Sequence, residues 1–176
     1  GLELLMVMLA GVSLPRPEYN KMMKDLIAAL KANGPRIKPK VRLLYTGGHA
    51  DNPEFFDLLQ QNDAHVVSDN TGFGTRAADV LIREDGDPLE AIIDYYFEEK
   101  PAATRQMGTQ VERMERLLDL VKQYKADGVV ASRLYMCDLW AFEHFLMRKR
   151  LHENNVPFLE LEVDYTCLLY TSPSPR

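Results

Sequence analysis

Cysteine is nearly absent from this chain: 176 residues contain two, Cys137 and Cys167. Two thiols do not make a disulfide framework, so a reducing compartment, the cytoplasm, is the expected setting. Positive charge is not in excess either. The 21 basic and 26 acidic residues leave a net charge of −5 with no dense basic block, and nucleic acid is not an expected partner. Long hydrophobic runs are missing too. The most apolar stretch, residues 2–14, contains Glu3 and Gly11; it is too short to span a bilayer and lacks the basic leader of a signal peptide. No membrane association is expected. Among catalytic signatures, G-x-S-x-G, H-E-x-x-H and C-x-x-C do not occur, which removes the serine-hydrolase elbow, the zinc-protease helix and the thioredoxin-type dithiol. The glycines of Thr71-Gly72-Phe73-Gly74-Thr75-Arg76 lack the third member of a dinucleotide fingerprint.

What remains is an ordinary globular composition, 46% apolar and 27% charged, on a chain long enough for one real core. From Lys40 onward, short β-type runs alternate with helical stripes. The runs are residues 40–45, 64–68, 129–131 and 158–161. Between them, Asp51-Asn52-Pro53 and Asp87-Pro88 supply helix-start chemistry, and Val111, Met114, Leu117, Leu118 and Val121 recur at helical spacing. Strands separated by helices argue for βαβ units. The expected class is therefore α/β: a flavodoxin- or Rossmann-like parallel sheet of about four strands flanked by helices. An N-terminal helical segment, broken at Pro15-Arg16-Pro17, precedes it.

Three regions are expected. Residues 1–39 form a helical segment bridging from an N-terminal lobe outside this chain, and residues 40–166 form the α/β lobe. Residues 167–176 have no folded pattern; they match, codon for codon, a translated transposon-end adapter used in sequencing libraries. Cys167 thereby leaves the argument.

Ligands of an open parallel sheet gather beyond the carboxyl ends of its strands. Three loops are expected there: the one opening with Gly47, Gly48 and His49, the one from Asp69 to Arg76, and the one from Ser132 to Cys137. Gly47-Gly48 allows a backbone to approach a phosphate or cofactor, or makes a tight turn. His49 is a candidate proton donor, or a solvated loop residue. Arg76 is a candidate for an anionic group such as a coenzyme A phosphate, or a surface arginine. Cys137 stands where a strand gives way to the helical run Asp138-Leu139-Trp140-Ala141-Phe142. Helix N-termini favour thiolates, the form that binds metals; a packed thiol is the plainer alternative. Asp138 suits the first turn, and Trp140, Phe142 and Phe145 read as packing residues.

Taken together, Asp127-Gly128-Val129-Val130, Arg133-Leu134-Tyr135-Met136-Cys137-Asp138-Leu139-Trp140 and Asn155-Val156-Pro157-Phe158-Leu159-Glu160-Leu161-Glu162 resemble the 2-hydroxyacyl-CoA dehydratase / benzoyl-CoA reductase family. Upstream, Thr46-Gly47-Gly48, Val66-Val67-Ser68-Asp69, Gly74-Thr75-Arg76 and Gly86-Asp87-Pro88-Leu89-Glu90-Ala91 follow in the expected order, so the likeness runs from about Lys40 to Thr166. The resemblance implies a subunit with two flavodoxin-like lobes, of which this chain is mainly the C-terminal one. It implies a [4Fe-4S] cluster held by three cysteines, two in the other lobe and one at the position of Cys137. The partners implied are a second homologous subunit, an ATP-hydrolysing iron–sulfur activator protein and an acyl-CoA substrate. In the dehydratases an electron passed to the thioester lets a ketyl radical expel the 2-hydroxyl as water; the reductases send electrons into the ring of benzoyl-CoA. Some members carry a cysteine where this chain has Gly72, and Pro-Cys-Pro where it has Pro101-Ala102-Ala103, which leaves the branch open. With one genuine cysteine the chain alone is expected to be inactive, and residues 2–14 to expose apolar surface. A reading of a different class is a non-catalytic flavodoxin-like binding module in which Cys137 merely packs.

Overall fold

The computed structural model describes residues 2–34, 37–48 and 53–164. Four strands form one parallel sheet: β1 (Val41–Gly47), β2 (Ala64–Asn70), β3 (Gly128–Leu134) and β4 (Phe158–Val163), in the order β2-β1-β3-β4. That is the order of a flavodoxin-like doubly wound sheet through its fourth strand. All four strands coincide with the β-type runs of the sequence, and each extends a few residues beyond its run.

Among the described residues six α-helices accompany them: α1 (Leu2–Ser13), α2 (Arg16–Asn33), α3 (Pro53–Gln61), α4 (Pro88–Asp94), α5 (Gln110–Gln123) and α6 (Asp138–Glu153). The break between α1 and α2 falls at Pro15, as proline chemistry requires. Asp87 caps α4 by accepting from the N–H groups of Leu89 (2.8 Å) and Glu90 (3.0 Å). The proposed start of α3 at Asp51-Asn52 lies outside the described residues, as do His49 and Cys167.

Alternate residues of the sheet enter two cores. On one face Leu44, Val129 and Ala131 pack against Met114, Leu117 and Val121 of α5 and Met147 and Leu151 of α6. On the other, Tyr45, Val66 and Val130 pack against Phe56 of α3. The Tyr45 hydroxyl is hydrogen-bonded to Ser132 Oγ, tying β1 to β3 near their carboxyl ends. At the opposite end Arg42 donates to the carbonyls of Lys125 (2.9 Å) and Tyr124 (2.8 Å), closing the turn after α5.

One expectation about packing is corrected. Phe142 and Phe145 are each 58% exposed. The side of α6 that meets the sheet instead carries Trp140, Glu143, His144, Met147 and Leu151, with Glu143 and His144 buried. Leu89, Ile92, Ile93 and Tyr96, which recur at helical spacing after Asp87-Pro88, are also exposed, and α2 buries no residue at all.

Burial of Glu143 is made possible by Arg113 on α5. Arg113 Nε and Nη2 donate to the two carboxylate oxygens, both at 2.8 Å, in a bidentate fork. Nη1 donates to Thr109 Oγ1 (2.5 Å) and to the carbonyls of Gln106 (3.0 Å) and Ala103 (3.3 Å). One guanidinium thus clips α5, α6 and the 103–109 loop together. His144, beside it in sequence, is fully buried between the rings of Trp140 (5.9 Å) and Phe158 (6.2 Å). Its Nδ1 approaches Glu160 Oε1 to 3.4 Å without hydrogen-bond alignment.

Two stability measurements follow from this packing. Glu143→Gln leaves Arg113 buried without its counter-charge and should lower unfolding free energy by about 3–5 kcal/mol, whereas Arg113→Met with Glu143→Leu should recover most of it. A single-site cost well under 1 kcal/mol in urea unfolding would contradict the role of the pair. Burial, only partly offset by Glu160, holds the His144 pKa below its ordinary 6.5. Below that pH the unfolded chain therefore takes up a proton that the folded chain refuses, so stability falls as pH drops through about 6.5. His144→Phe should flatten that slope in urea midpoints measured between about pH 7.5 and 5.5.

Candidate functional site

Chain connectivity reverses between β1 and β3, since β1 leads to β2 on one side and β3 to β4 on the other. The loops leaving these neighbours diverge and open a crevice at their carboxyl ends. Gly47, the last residue of β1, has φ +135°, and a Cβ there would collide with the carbonyl oxygen of Ser132 on β3. Glycine is required for that approach. The N–H of Gly48 then donates to the same carbonyl (3.1 Å). Gly48 also lies against α6: an added Cβ would sit 3.7 Å from Trp140 Nε1. Ser132 and Trp140 therefore hold the Gly47-Gly48 turn against the segment bearing Cys137, a role that their sequence context did not signal.

The path from β3 to α6 turns at Met136, whose φ is +63°. Tyr135 N–H donates to the Val163 carbonyl (2.8 Å), and Cys137 N–H to the Leu134 carbonyl (3.1 Å). Cys137 is the N-cap of α6 and its carbonyl accepts from Ala141 N–H (3.0 Å), but its side chain makes no capping hydrogen bond. The thiol is free and partly exposed. Asp138 occupies the first turn, as its chemistry suggests. Cys137 therefore offers a soft, accessible donor on the rim. Among the described residues no group of three or more His, Cys, Asp or Glu side chains could hold a metal ion, so this thiol is not by itself a metal site.

The third rim loop is organised by Asp69, which glycine spacing alone did not reveal. Its Oδ1 accepts from Thr71 N–H (2.9 Å), Thr71 Oγ1 (2.6 Å) and Thr75 N–H (3.2 Å). A side chain at Gly74 would drive into that carboxylate. The available signal was the Asp69-x-Thr71 pattern, in which an aspartate bonds the backbone two residues on. Arg76 follows in a short 3-10 turn, Thr75–Ala77, and is half-buried. One terminal nitrogen of its guanidinium lies 3.0 Å from where a Gly72 Cβ would be. Burial pushes its pKa below the usual arginine value, and Arg116 and Arg113 push the same way against Asp69 and Glu143.

The structure thus brings Gly47, Gly48 and the Cys137 turn together at the β1–β3 crevice. Arg76 lies on the β2 side, facing the charges of α5 and α6. Among the described residues no helix is long and apolar enough to cross a membrane.

Comparison with known proteins finds relatives of low identity but long coverage. The (R)-phenyllactyl-CoA dehydratase beta subunit of Clostridium sporogenes is 23% identical over 162 residues, 90% of this chain and 42% of the relative. A benzoyl-CoA reductase subunit of Thauera aromatica is 23% identical over 163 residues, 91% of this chain and 42% of the relative. A putative dehydratase subunit of Escherichia coli (strain K12), YjiM, is 27% identical over 138 residues, 76% of this chain and 35% of the relative. The chain therefore spans well under half the length of the curated relatives it matches. A family model described as "2-hydroxyglutaryl-CoA dehydratase, D-component" matches residues 1–167, and the chain belongs to that family.

Proposed function

We propose that this chain is part of a subunit of an iron–sulfur enzyme acting on a CoA thioester, and that Cys137 is one ligand of its [4Fe-4S] cluster. The observation that carries this is the position of the thiol: free, partly exposed and on the rim of the switch-point crevice. Family membership and relatives named for CoA-thioester dehydration and reduction support the choice of chemistry. A thiolate suits iron–sulfur ligation, and its burial and hydrogen-bond surroundings tune the potential. When bound, such a cluster supplies single-electron transfer.

The chain's own residues have positional work. Met136 turns the backbone so that Cys137 stands at the helix start. Trp140, one turn on, packs beside Gly48, and the Gly47-Gly48 turn lets a ligand approach backbone with no side chain in the way. The reaction proposed is elimination of water from a 2-hydroxyacyl-CoA: the 2-hydroxyl and a hydrogen of the adjacent carbon leave, and an enoyl-CoA remains. It is redox-neutral, so the activating electron is returned each cycle. A second homologous subunit, an ATP-hydrolysing activator protein and a cytoplasmic setting go with this reading. Ring reduction of benzoyl-CoA is the second reading, favoured by a reductase relative as similar as the dehydratase one. Turnover of a 2-hydroxyacyl-CoA against benzoyl-CoA by the assembled enzyme separates the two.

In the complete enzyme, assembled with its partner without oxygen, the wild-type protein should hold about four irons per cluster. Cys137→Ser should lose iron and acid-labile sulfide or change the reduced-state EPR signal. Identical iron content and spectra in both proteins would leave Cys137 a packing residue. Iodoacetamide supplies an independent check: native Cys137 should be alkylated in the cluster-free chain and protected in the loaded enzyme.

A further inference from the structure

We infer that two exposed apolar faces of this chain, one on α4 and one on the outer side of α6, dock on one another between copies, so that the chain self-associates head to tail. The first face runs along α4 and the π-helical turn Tyr95–Glu99 that continues it. Leu89, Ile92, Ile93, Tyr96 and Phe97 recur there at the spacing of one helix side, and all are exposed, Phe97 by 77%. Ala91 and Tyr95, on the other side, are buried. The segment therefore already packs inward and leaves a second apolar side in water. Single apolar residues at a surface need no partner, whereas a contiguous row marks a contact site.

Charge says what covers it. Asp87, Glu90, Glu98 and Glu99 border the row, and among the described residues the last three have no ion pair. Lys100, 4.7 Å from the centre of the Tyr96 ring, is the base beside them. An acidic border repels an anionic lipid surface. It suits a protein face with an apolar middle and a basic edge.

The outer side of α6 is such a face. Phe142 and Phe145 are exposed on it, and Lys149 and His152 continue the same side toward the end of the helix. Arg148 and Arg150 are engaged by Glu160 and by Glu115 and Glu153, but Lys149 has no ion pair among the described residues. The surface is also hollowed. A groove of about 380 Å³ between α5 and α6 is lined by Val111, Met114 and Leu146 with Lys149, and a second of about 420 Å³ is lined by Phe145, Lys149 and His152. A row of large side chains fits such hollows. Helix α2 exposes apolar residues too, but Glu18 and Asp25 stand among them, the same sign as the α4 border.

Because the two faces differ, the contact is heterologous: the α4 row of one copy meets the α6 face of the next, and a dimer still carries one free face of each kind. Neither face includes Cys137, so failure of this inference leaves the cluster assignment untouched.

The test is sedimentation velocity of the full chain over a concentration series, for wild type, Phe97→Glu, Phe145→Glu and an equimolar mixture of these two variants. Wild type should associate beyond the dimer or into a closed ring. Each variant alone should self-associate about thirtyfold or more weakly, as loss of an aromatic anchor does. The mixture should form a dimer and stop there, because Phe97→Glu keeps the α6 face and Phe145→Glu keeps the α4 row. Lys149→Glu should weaken wild-type association about tenfold. Unchanged circular dichroism and urea midpoints establish that the variants fold, and Phe97→Ser or Phe145→Ser replaces one that does not. A monomeric wild-type chain would overturn the inference. So would association that survives either variant, which would put the contact elsewhere, as on α1 and α2. Absence of a dimer in the mixture would overturn the pairing of α4 with α6.

Discussion

The arrangement of the rim rests on one guanidinium. Arg113 reaches from α5 to fill both oxygens of Glu143 on α6 and three acceptors in the 103–109 segment. Without it, α6 would bring an uncompensated carboxylate against the sheet, which burial does not tolerate. With it, the helix that presents Cys137 is fixed in rotation, because Trp140, Glu143, His144, Met147 and Leu151 can face inward only together. The pair is valuable less for net stability than for specifying which side of an ambiguous helix is inside.

The second constraint is steric. The approach of Gly47 to the Ser132 carbonyl leaves no room for a side chain, and the Gly48 hydrogen bond to that carbonyl then sets where the β1 loop begins. Beneath it, Tyr45 and Ser132 join the same two strands through their hydroxyls. The divergence of the two loops, which makes the crevice, thus starts from a rigid base.

The strands were legible because each is a compact β-type run bounded by polar or glycine-containing segments. The helix starts at Asp87-Pro88 and Asp138 were equally plain. The inward side of α6 was not. Phe142 and Phe145 offer an apolar face, while the face that is buried contains Glu143 and His144, so hydrophobic spacing selected the wrong one. Only the presence of Arg113, thirty residues away, reverses that choice. Strand order and register were beyond the pattern for the same reason: they depend on non-local pairing. At the site, Cys137, Gly47 and Gly48 were picked out by their place at strand ends and Asp69 left a trace in the Asp69-x-Thr71 pattern, whereas Ser132 and Trp140 take part through contacts that no short motif encodes.

The sheet order also sets how the chain is exposed while it is being made. Strand β1 is central, flanked by β2 and β3. Its first neighbour is complete at Asn70, but the second is finished only at Leu134. At ribosomal rates of about 5–20 residues per second, the nascent chain carries β1 with one open edge for roughly 3–13 s. During that interval the backbone groups of Leu43, Leu44 and Tyr45 lack the partners that β3 later supplies. The same topology that opens a crevice between β1 and β3 in the folded protein thus leaves a vulnerable interval on the ribosome, when chaperone contact would matter most.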